Sequence, residues 1–79
     1  MPGNVEITSY PNNAEIYIDD VLITYGDGQP VLTPAVLTLA DGLHEIRLVL
    51  HGYCDQFTSV EIPPDTMYTQ YRHRNLNIC

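Results

Sequence analysis

Alternation of apolar and polar residues with a period of two is the feature that most constrains the fold of this chain. It is clearest in residues 43–51, where Ile46 and Leu48 fall on one face and Arg47 and Val49 fall on the other. Side chains of a β-strand point alternately to opposite faces, whereas a helical face repeats every 3.6 residues. Because no window of the sequence shows helical periodicity, the pattern predicts an all-β protein.

Turn signals divide this pattern into short segments. Proline fixes φ and lacks an amide donor, while glycine and asparagine adopt positive φ, so clusters of these residues end strands. The predicted strands are residues 5–9, 14–18, 35–39, 43–51 and 57–62, a short one within 21–25, and a long last one at 66–79, bent near Asn75. About seven short strands with closely spaced turns are typical of a single antiparallel β-sandwich, here spanning residues 1–79.

Two of the turns predict hairpins between consecutive strands. Pro11-Asn12-Asn13 separates the first two strands, and Asp41-Gly42 is the strongest hairpin signal because glycine supplies the positive φ of a tight turn. Asp19-Asp20 is interpreted as the end of a strand, with side chains that cap turns. Gly52-Tyr53 turns the chain so that the tyrosine ring can cover the edge of the core.

The size and charge of the chain exclude several classes of protein. Its 79 residues include ten acidic residues, three arginines and no lysine, for a formal net charge of −7. Nucleic-acid binding needs a basic surface, which the pair Arg72 and Arg74 does not supply. No stretch approaches the roughly 20 apolar residues of a membrane-spanning helix. The first residues lack a secretory signal pattern, which leaves either a chain used without one or a piece of a longer protein.

No arrangement of residues predicts catalysis. Gly26-Asp27-Gly28 lacks the lysine and the following helix of a phosphate-binding loop. Ser9 and Ser59 lie in strand patterns without the glycines that frame a nucleophilic serine. We therefore predict that the protein is not an enzyme and uses no cofactor.

Two sets of side chains are candidate metal ligands. The set that offers oxygens to calcium is Asp19, Asp20 and Asp27. The set that offers nitrogen and sulfur to zinc is His51, Cys54, His73 and Cys79. Neither has the spacing of an EF-hand or of paired zinc ligands, so we predict no metal site. Whether the two cysteines are free or paired stays open at this level.

Tyrosines and an apolar insertion are the candidate contact residues. Exposed tyrosines anchor interfaces or stack on sugars, and exposed apolar patches mark contacts. As alternatives, tyrosine also suits half-buried sheet positions, and residues 21–33 can pair as an extra edge strand. The candidates are Tyr17, Leu22, Ile23, Tyr25, Val31, Leu32, Tyr68 and Tyr71.

The order of the turn signals resembles the PEGA domain over residues 5–62. The signals are Ser9 to Ala14 leading into a strand that ends at Asp19-Asp20, then Thr33-Pro34, then Gly42 with His44, and finally Gly52-Tyr53. The turn residues to which we assign structural roles are Pro11, Ala14, Gly42, Gly52 and Tyr53. Pro11-Asn12-Asn13-Ala14 replaces the Pro-Glu-Gly-Ala of the family, the segment 20–33 is longer than usual, and the tail 66–79 extends beyond the resemblance.

The resemblance implies a small PEGA-like or immunoglobulin-like sandwich that acts as a non-catalytic accessory module of envelope and extracellular proteins. The chain is also similar to carboxypeptidase regulatory-like domains, the nearest competing assignment. We expect a structural subunit that docks onto or decorates a larger assembly, such as a virion head or tail, a surface layer or a filament. The alternative is a carbohydrate- or protein-binding module of a cell-envelope protein. A homo-oligomer and a virion or cell-surface location are favoured, although the sequence identifies neither partner nor location.

Overall fold

Seven strands in two packed sheets make up the part of the chain that the structure describes. The structure is a computed structural model that describes residues 3–64 and 69–79. The strands are β1 Gly3–Tyr10, β2 Glu15–Ile18, β3 Val21–Leu22, β4 Ala35–Leu39, β5 Gly42–Val49, β6 Gln56–Ile62 and β7 Gln70–Asn75. The all-β fold predicted from the period-two pattern is confirmed.

The core lies between a three-stranded sheet and a four-stranded sheet. The three-stranded sheet has the order β4-β1-β7, and the four-stranded sheet has the order β3-β2-β5-β6. Alternate residues of β1 and β2, and of the buried parts of β5 and β6, point inward, as the alternation requires. The largest of these side chains, all buried, are Ile7, Ile16, Ile46, Leu48 and Ile62.

Two turns that predicted hairpins instead carry the chain from one sheet to the other. β1 and β2 lie in different sheets, and so do β4 and β5. The predicted hairpins at Pro11-Asn12-Asn13 and at Asp41-Gly42 are therefore wrong. The backbone there does adopt the expected positive φ, at 70° for Asn13 and 116° for Gly42. Positive φ allows a tight reversal, but it does not decide whether the flanking strands pair with each other.

The two-residue hairpin is at Asp19-Asp20, between β2 and β3. Ile18 pairs with Val21, and φ is positive at both turn residues, at 51° and 69°. Positive φ at both central residues is the requirement of a type I′ turn, and aspartate is one of the residues that tolerates it.

The last strand differs from its prediction in direction and in length. β7 runs parallel to β1, with Val5 opposite Gln70 and Tyr10 opposite Asn75, where an antiparallel sandwich was predicted. The reason is that β6 ends beside the start of β1, so a chain that then enters the other sheet must run the same way as β1. The strand ends at Asn75, and residues 66–68 of the predicted 66–79 lie outside the described residues.

A chain of buried hydroxyl groups joins the sheets at the crossover from β1 to β2. The Ala14 amide donates to Thr33 Oγ1 over 3.0 Å, and the Ser9 hydroxyl donates to the Pro11 carbonyl oxygen over 2.8 Å. Ser9 Oγ and Thr33 Oγ1 are 2.6 Å apart. Because the Ser9 hydroxyl donates its only hydrogen to Pro11, the Thr33 hydroxyl must donate to Ser9. Every buried polar atom in this chain of hydrogen bonds is thereby satisfied.

Side chains of β7 cover the outer edge of β6. Arg72 Nε donates to the Ser59 carbonyl oxygen over 2.9 Å, and Gln70 Nε2 donates to the Glu61 carbonyl oxygen over 2.7 Å. These bonds close one side of the sandwich without a further backbone ladder. They also use carbonyl groups that would otherwise attract another strand.

The apolar insertion pairs along the free edge of β2. The Ile23 amide donates to the Ile16 carbonyl oxygen over 2.9 Å, and the Val31 amide donates to the Ile23 carbonyl oxygen over 3.0 Å. Thr24 and Pro30 form a further bridge. The alternative that residues 21–33 pair as an extra edge strand is confirmed. The exposed loop 25–29 lies at the tip of this insertion.

A disulfide between Cys54 and Cys79 ties the tail to the turn that follows β5. The two Cα atoms are 5.0 Å apart. The Cys54 amide also donates to the Asn77 carbonyl oxygen over 2.7 Å, and Tyr53 pairs with Ile78. The sequence left open whether the two cysteines are free or paired, and in the structure they are paired.

Replacing Thr33 by valine should lower the free energy of unfolding by about 2–3 kcal/mol, because the Ala14 amide and Ser9 hydroxyl lose a buried partner. Thr33→Ser is the matched control, since it keeps the hydroxyl and loses only a methyl group, worth roughly 1 kcal/mol. Urea denaturation of both variants measures the difference. Equal losses would contradict the assigned role of the hydroxyl.

Removing the disulfide in the double variant Cys54→Ala, Cys79→Ala should lower the free energy of unfolding by about 3.5 kcal/mol. The reason is that the bond spans 25 residues and restricts the unfolded chain. Reductant should lower the midpoint of denaturation of the wild-type chain and leave that of the double variant unchanged. A wild-type midpoint that does not respond to reductant would show that the bond does not form.

Candidate interaction surface

A row of four side chains crosses the outer face of the four-stranded sheet. Strand pairing places Leu22 beside Tyr17, Tyr17 beside Arg47, and Arg47 beside Phe57. In β2, β5 and β6 these positions alternate with buried residues, so Tyr17, Arg47 and Phe57 point away from the core. Leu22 lies opposite Tyr17 on the same face. We call Leu22, Tyr17, Arg47 and Phe57 the cross-strand row. Phe57 is 52% exposed.

Arg47 is the centre of this row. Its guanidinium carbon lies 4.3 Å from the centroid of the Tyr17 ring, a cation–π contact. Nη1 lies 3.9 Å from Asp55 Oδ2, a long ion pair at the surface. The Nε atom is buried and has no hydrogen-bond partner among residues 3–64 and 69–79. The cation–π contact with Tyr17 holds the arginine side chain against the sheet.

An open groove of about 490 Å³ adjoins the row on the same face. Glu15 of β2 and Val49 of β5 pair with each other and line the groove. Each is two residues from Tyr17 or Arg47 along its strand, and therefore on the same face of the sheet. Its lining residues are Asn13, Glu15, Pro30, Leu32, Val49, Leu50 and His51. Row and groove together form one continuous surface that is largely apolar, with an arginine and a glutamate within it.

Three of the candidate contact residues meet on this surface. Tyr17 and Leu22 belong to the cross-strand row, and Leu32 lines the groove. They are brought together because the insertion pairs along the edge of β2 rather than projecting from it.

The other candidates lie elsewhere. Val31 is buried, and Ile23 is half-buried and packs against the core. Tyr25 is exposed on the insertion, and Tyr71 is exposed on the opposite sheet. Tyr68 lies outside the described residues.

Sequence reasoning missed Arg47 and Phe57 as site residues. The signal was present, because the alternation that buries Ile46 and Leu48 also assigns Arg47 to the opposite face of β5. A phenylalanine at an outward position of β6 was a second indication. The alternation of a single strand does not show which residues of β5 and β6 pair, so it could not place Arg47 beside Phe57.

His44 and Asp19 form an ion pair that connects the β2–β3 turn to the start of β5. His44 Nδ1 lies 2.7 Å from Asp19 Oδ2, and His44 Nε2 lies 2.7 Å from the Ala40 carbonyl oxygen. The Glu45 amide donates to Asp19 Oδ1 over 2.9 Å. Both ring nitrogens therefore face acceptors, an arrangement that suits the protonated ring.

The pKa values of this pair move in opposite directions. The Ala40 carbonyl, followed by the Asp19 carboxylate, raises the pKa of His44 above 6.5. The Glu45 amide, followed by His44, lowers the pKa of Asp19 below 3.8. Each charged form is favoured because hydrogen bonds are made to it in the folded chain.

The family of the chain follows from its match to a family model. The model of the PEGA domain matches residues 2–75. This chain belongs to the PEGA domain family. Among curated proteins, none matches the chain. Membership indicates a small β module of the extracellular type, from a family of non-catalytic accessory domains.

The PEGA motifs correspond to the contacts that hold the two sheets. The serine, proline and alanine of the first motif are Ser9, Pro11 and Ala14, which with Thr33 form the buried hydroxyl chain. The histidine after the glycine is His44 of the ion pair. The family match covers the insertion and β7 as well as residues 5–62.

The two sets weighed as metal ligands have other uses in this PEGA domain. The zinc set loses both sulfurs to the disulfide between Cys54 and Cys79. In the calcium set, both carboxylate oxygens of Asp19 are engaged, and Asp27 Oδ1 accepts the Gln29 amide over 3.0 Å. Residues 3–64 and 69–79 contain no cluster of three or more potential metal ligands. The same residues contain no helix able to span a membrane.

Raising the pH from about 6 to about 8.5 should lower the stability of the domain through His44, since its usual pKa is about 6.5. The folded pKa is raised, so the contribution is complete below the unfolded pKa and is lost as pH rises through the folded pKa. In His44→Asn, which keeps an N–H group for Asp19 but does not titrate, this loss should be smaller. Denaturation midpoints across the pH range measure it.

His51→Asn is the control for this prediction, because His51 is exposed on the groove and not part of the ion pair. A change in pH dependence that this variant shares with His44→Asn would not come from the ion pair. If His44→Asn also kept the full wild-type pH dependence, the raised pKa of His44 would be refuted.

Proposed function

We propose that this PEGA domain is a non-enzymatic interaction module that docks on a protein partner through the outer face of its four-stranded sheet. The observation that carries the proposal is the cross-strand row, in which Arg47 lies between Tyr17 and the exposed Phe57. The module docks onto or decorates a larger assembly, as a small subunit or as a domain of one.

The composition of the face supports a protein partner. Tyrosine and arginine dominate the binding energy of protein interfaces, mainly at the centre of the contact. Here Arg47 and Tyr17 lie at the centre of the row, with Phe57 and Leu22 on either side. The adjoining groove offers a recess for one apolar side chain of the partner.

Carbohydrate binding, the alternative considered from the sequence, fits this face less well. Sugars stack on the open face of an aromatic ring, but the guanidinium group of Arg47 already lies over the Tyr17 ring. Phe57 has no polar handle to hold a hydroxyl group. The stacking of Arg47 on Tyr17 therefore favours a protein surface over a sugar.

The disulfide supports a setting outside a reducing cytoplasm. Such bonds persist in extracellular spaces, on cell surfaces and on virion surfaces. The bond between Cys54 and Cys79 and the extracellular type of the family are consistent with each other. A virion, a surface layer or a filament would each provide this setting.

The hydrogen bonds of the polar side chains support a role without catalysis. The Ser9 hydroxyl donates to Pro11 and accepts from Thr33, so it has no free base to activate it. His44 is held between Asp19 and the Ala40 carbonyl oxygen. These groups stabilise the fold, and the family is one of accessory domains.

A photo-crosslinking amino acid at position 57, in the organism or particle that contains this chain, should capture one defined protein. The matched control position is Tyr71, which is exposed on the opposite sheet. Crosslinking from position 57 should fall at least roughly tenfold in Arg47→Glu, because loss of a central anchor typically costs 2 kcal/mol or more.

Arg47→Glu must retain the fold for this comparison, which near-UV circular dichroism checks. Val36→Glu, a change at an exposed position of the opposite sheet, should leave the crosslink in place. Equal capture from positions 57 and 71, or capture that persists in Arg47→Glu, would refute docking through this face.

A further inference from the structure

β4 is an open edge of the three-stranded sheet. Ala35–Leu39 pairs with β1 on one side, and its other side has no strand among residues 3–64 and 69–79. Its sequence, AVLTL, contains no charged residue, no glycine and no proline. Natural proteins usually protect such an edge with a charge, a proline or a bulge, and β4 has none of these between its ends.

The unpaired backbone groups of β4 belong to Val36 and Thr38. Tyr10 accepts a hydrogen bond from the Leu76 amide, so the even-numbered residues of β1 direct their backbone groups to β7. The odd-numbered residues of β1 therefore bond to β4, through Ala35, Leu37 and Leu39. The residues between them, Val36 and Thr38, direct their amides and carbonyls outward.

The other sheet edges carry contacts that β4 lacks. Gln70 and Arg72 donate side-chain hydrogen bonds to the carbonyl groups along β6. The insertion pairs along β2, and β3 is only two residues long. The remaining edge, β7, carries Arg72 and Arg74, and its Tyr71 carbonyl oxygen accepts a hydrogen bond from Arg72 Nη1. Of the edge strands formed by the described residues, β4 is thus the longest without a charged residue.

We infer that β4 is the site where a second copy of this chain adds by antiparallel strand pairing. An antiparallel arrangement centred on Leu37 places Val36 opposite Thr38 of the second copy, and Thr38 opposite its Val36. Both residues have outward backbone groups, so the pairing is self-complementary and makes about four backbone hydrogen bonds. The two three-stranded sheets join into one continuous sheet.

The charges of the chain allow a second copy at this edge. With a net charge of −7, most pairs of faces would bring acidic side chains together. In the β4 pairing, the nearest carboxylates of the adjoining strands are the two Glu6 side chains, beside Val36 on β1. Strand spacings put them about 16 Å apart. That distance is about two Debye lengths at physiological ionic strength, so their repulsion is screened.

The pairing is limited to the centre of β4. Pro34 has no amide to donate, and the Ala40 carbonyl oxygen already accepts a hydrogen bond from His44. A contact this short buries less than the roughly 1,200 Å² of a stable interface, so the dimer forms at high local concentration, as in an assembly. β4 lies in the opposite sheet from the cross-strand row, so this strand pairing does not depend on docking through the row.

Sedimentation velocity from about 10 µM to about 1 mM should show a reversible monomer–dimer equilibrium, as expected for a small interface. Over the same range, hydrogen exchange at the Val36 and Thr38 amides should slow as concentration rises. The Leu37 amide, which bonds to β1, should stay equally protected throughout.

Val36→Lys and Thr38→Pro should each abolish the dimer with the fold intact. The first places two lysines about 7–8 Å apart across the two-fold axis. The second removes an outward amide, which an edge strand tolerates, together with the exposed hydrogen bond from Thr38 Oγ1 to Asn4 Oδ1. Val21→Lys is the matched control, because Val21 is 63% exposed and Val36 is 61% exposed. It should leave the dimer unchanged.

These experiments distinguish a failure of strand pairing at β4 from a failure of docking through the cross-strand row. Val36→Lys should not affect crosslinking from position 57, since that residue lies on the other sheet. A chain that stays monomeric to the highest concentration overturns the inference. A dimer that survives both Val36→Lys and Thr38→Pro overturns it as well.

Discussion

The hydrogen-bonded chain from Ala14 through Thr33 and Ser9 to Pro11 is the interaction on which the rest of the structure depends. It lies where the backbone first leaves one sheet for the other, a place where amides cannot be satisfied by a ladder. Buried polar groups cost free energy unless they are paired, so the hydroxyls of Ser9 and Thr33 make this crossing possible. It also explains physically why the first PEGA motif combines serine, proline and alanine with a distant Thr-Pro step.

Further contacts hold the sandwich at other points. The ion pair of His44 with Asp19 connects β5 to the turn that follows β2, and the disulfide at Cys54 connects the turn after β5 to the tail. A domain of this size has a small core and gains much from such contacts. They lie at turns and sheet edges and do not involve the side chains of the cross-strand row.

The two surfaces proposed for interaction belong to different sheets and use different physical interactions. The cross-strand row offers side chains, with Arg47 stacked on Tyr17 beside the exposed Phe57. The β4 edge offers backbone groups at Val36 and Thr38 in a segment without charge. A module with one surface for a different protein and one for its own copies is suited to repetitive assemblies, where weak self-contacts add to each docking event.

The sequence by itself determined the all-β class, the approximate bounds of β1, β2, β4, β5 and β6, and the inward faces, because a period of two is a local property of the chain. It also placed Tyr17, Leu22 and Leu32 among the candidate contact residues, which the structure brings to one surface. Only the tertiary structure decided that Asp41-Gly42 joins two sheets, that β7 runs parallel to β1, and that Arg47 and Phe57 complete the row. Turn residues specify that a chain reverses, but which strands then pair depends on burying both apolar faces at once, a condition set by residues far apart in the sequence.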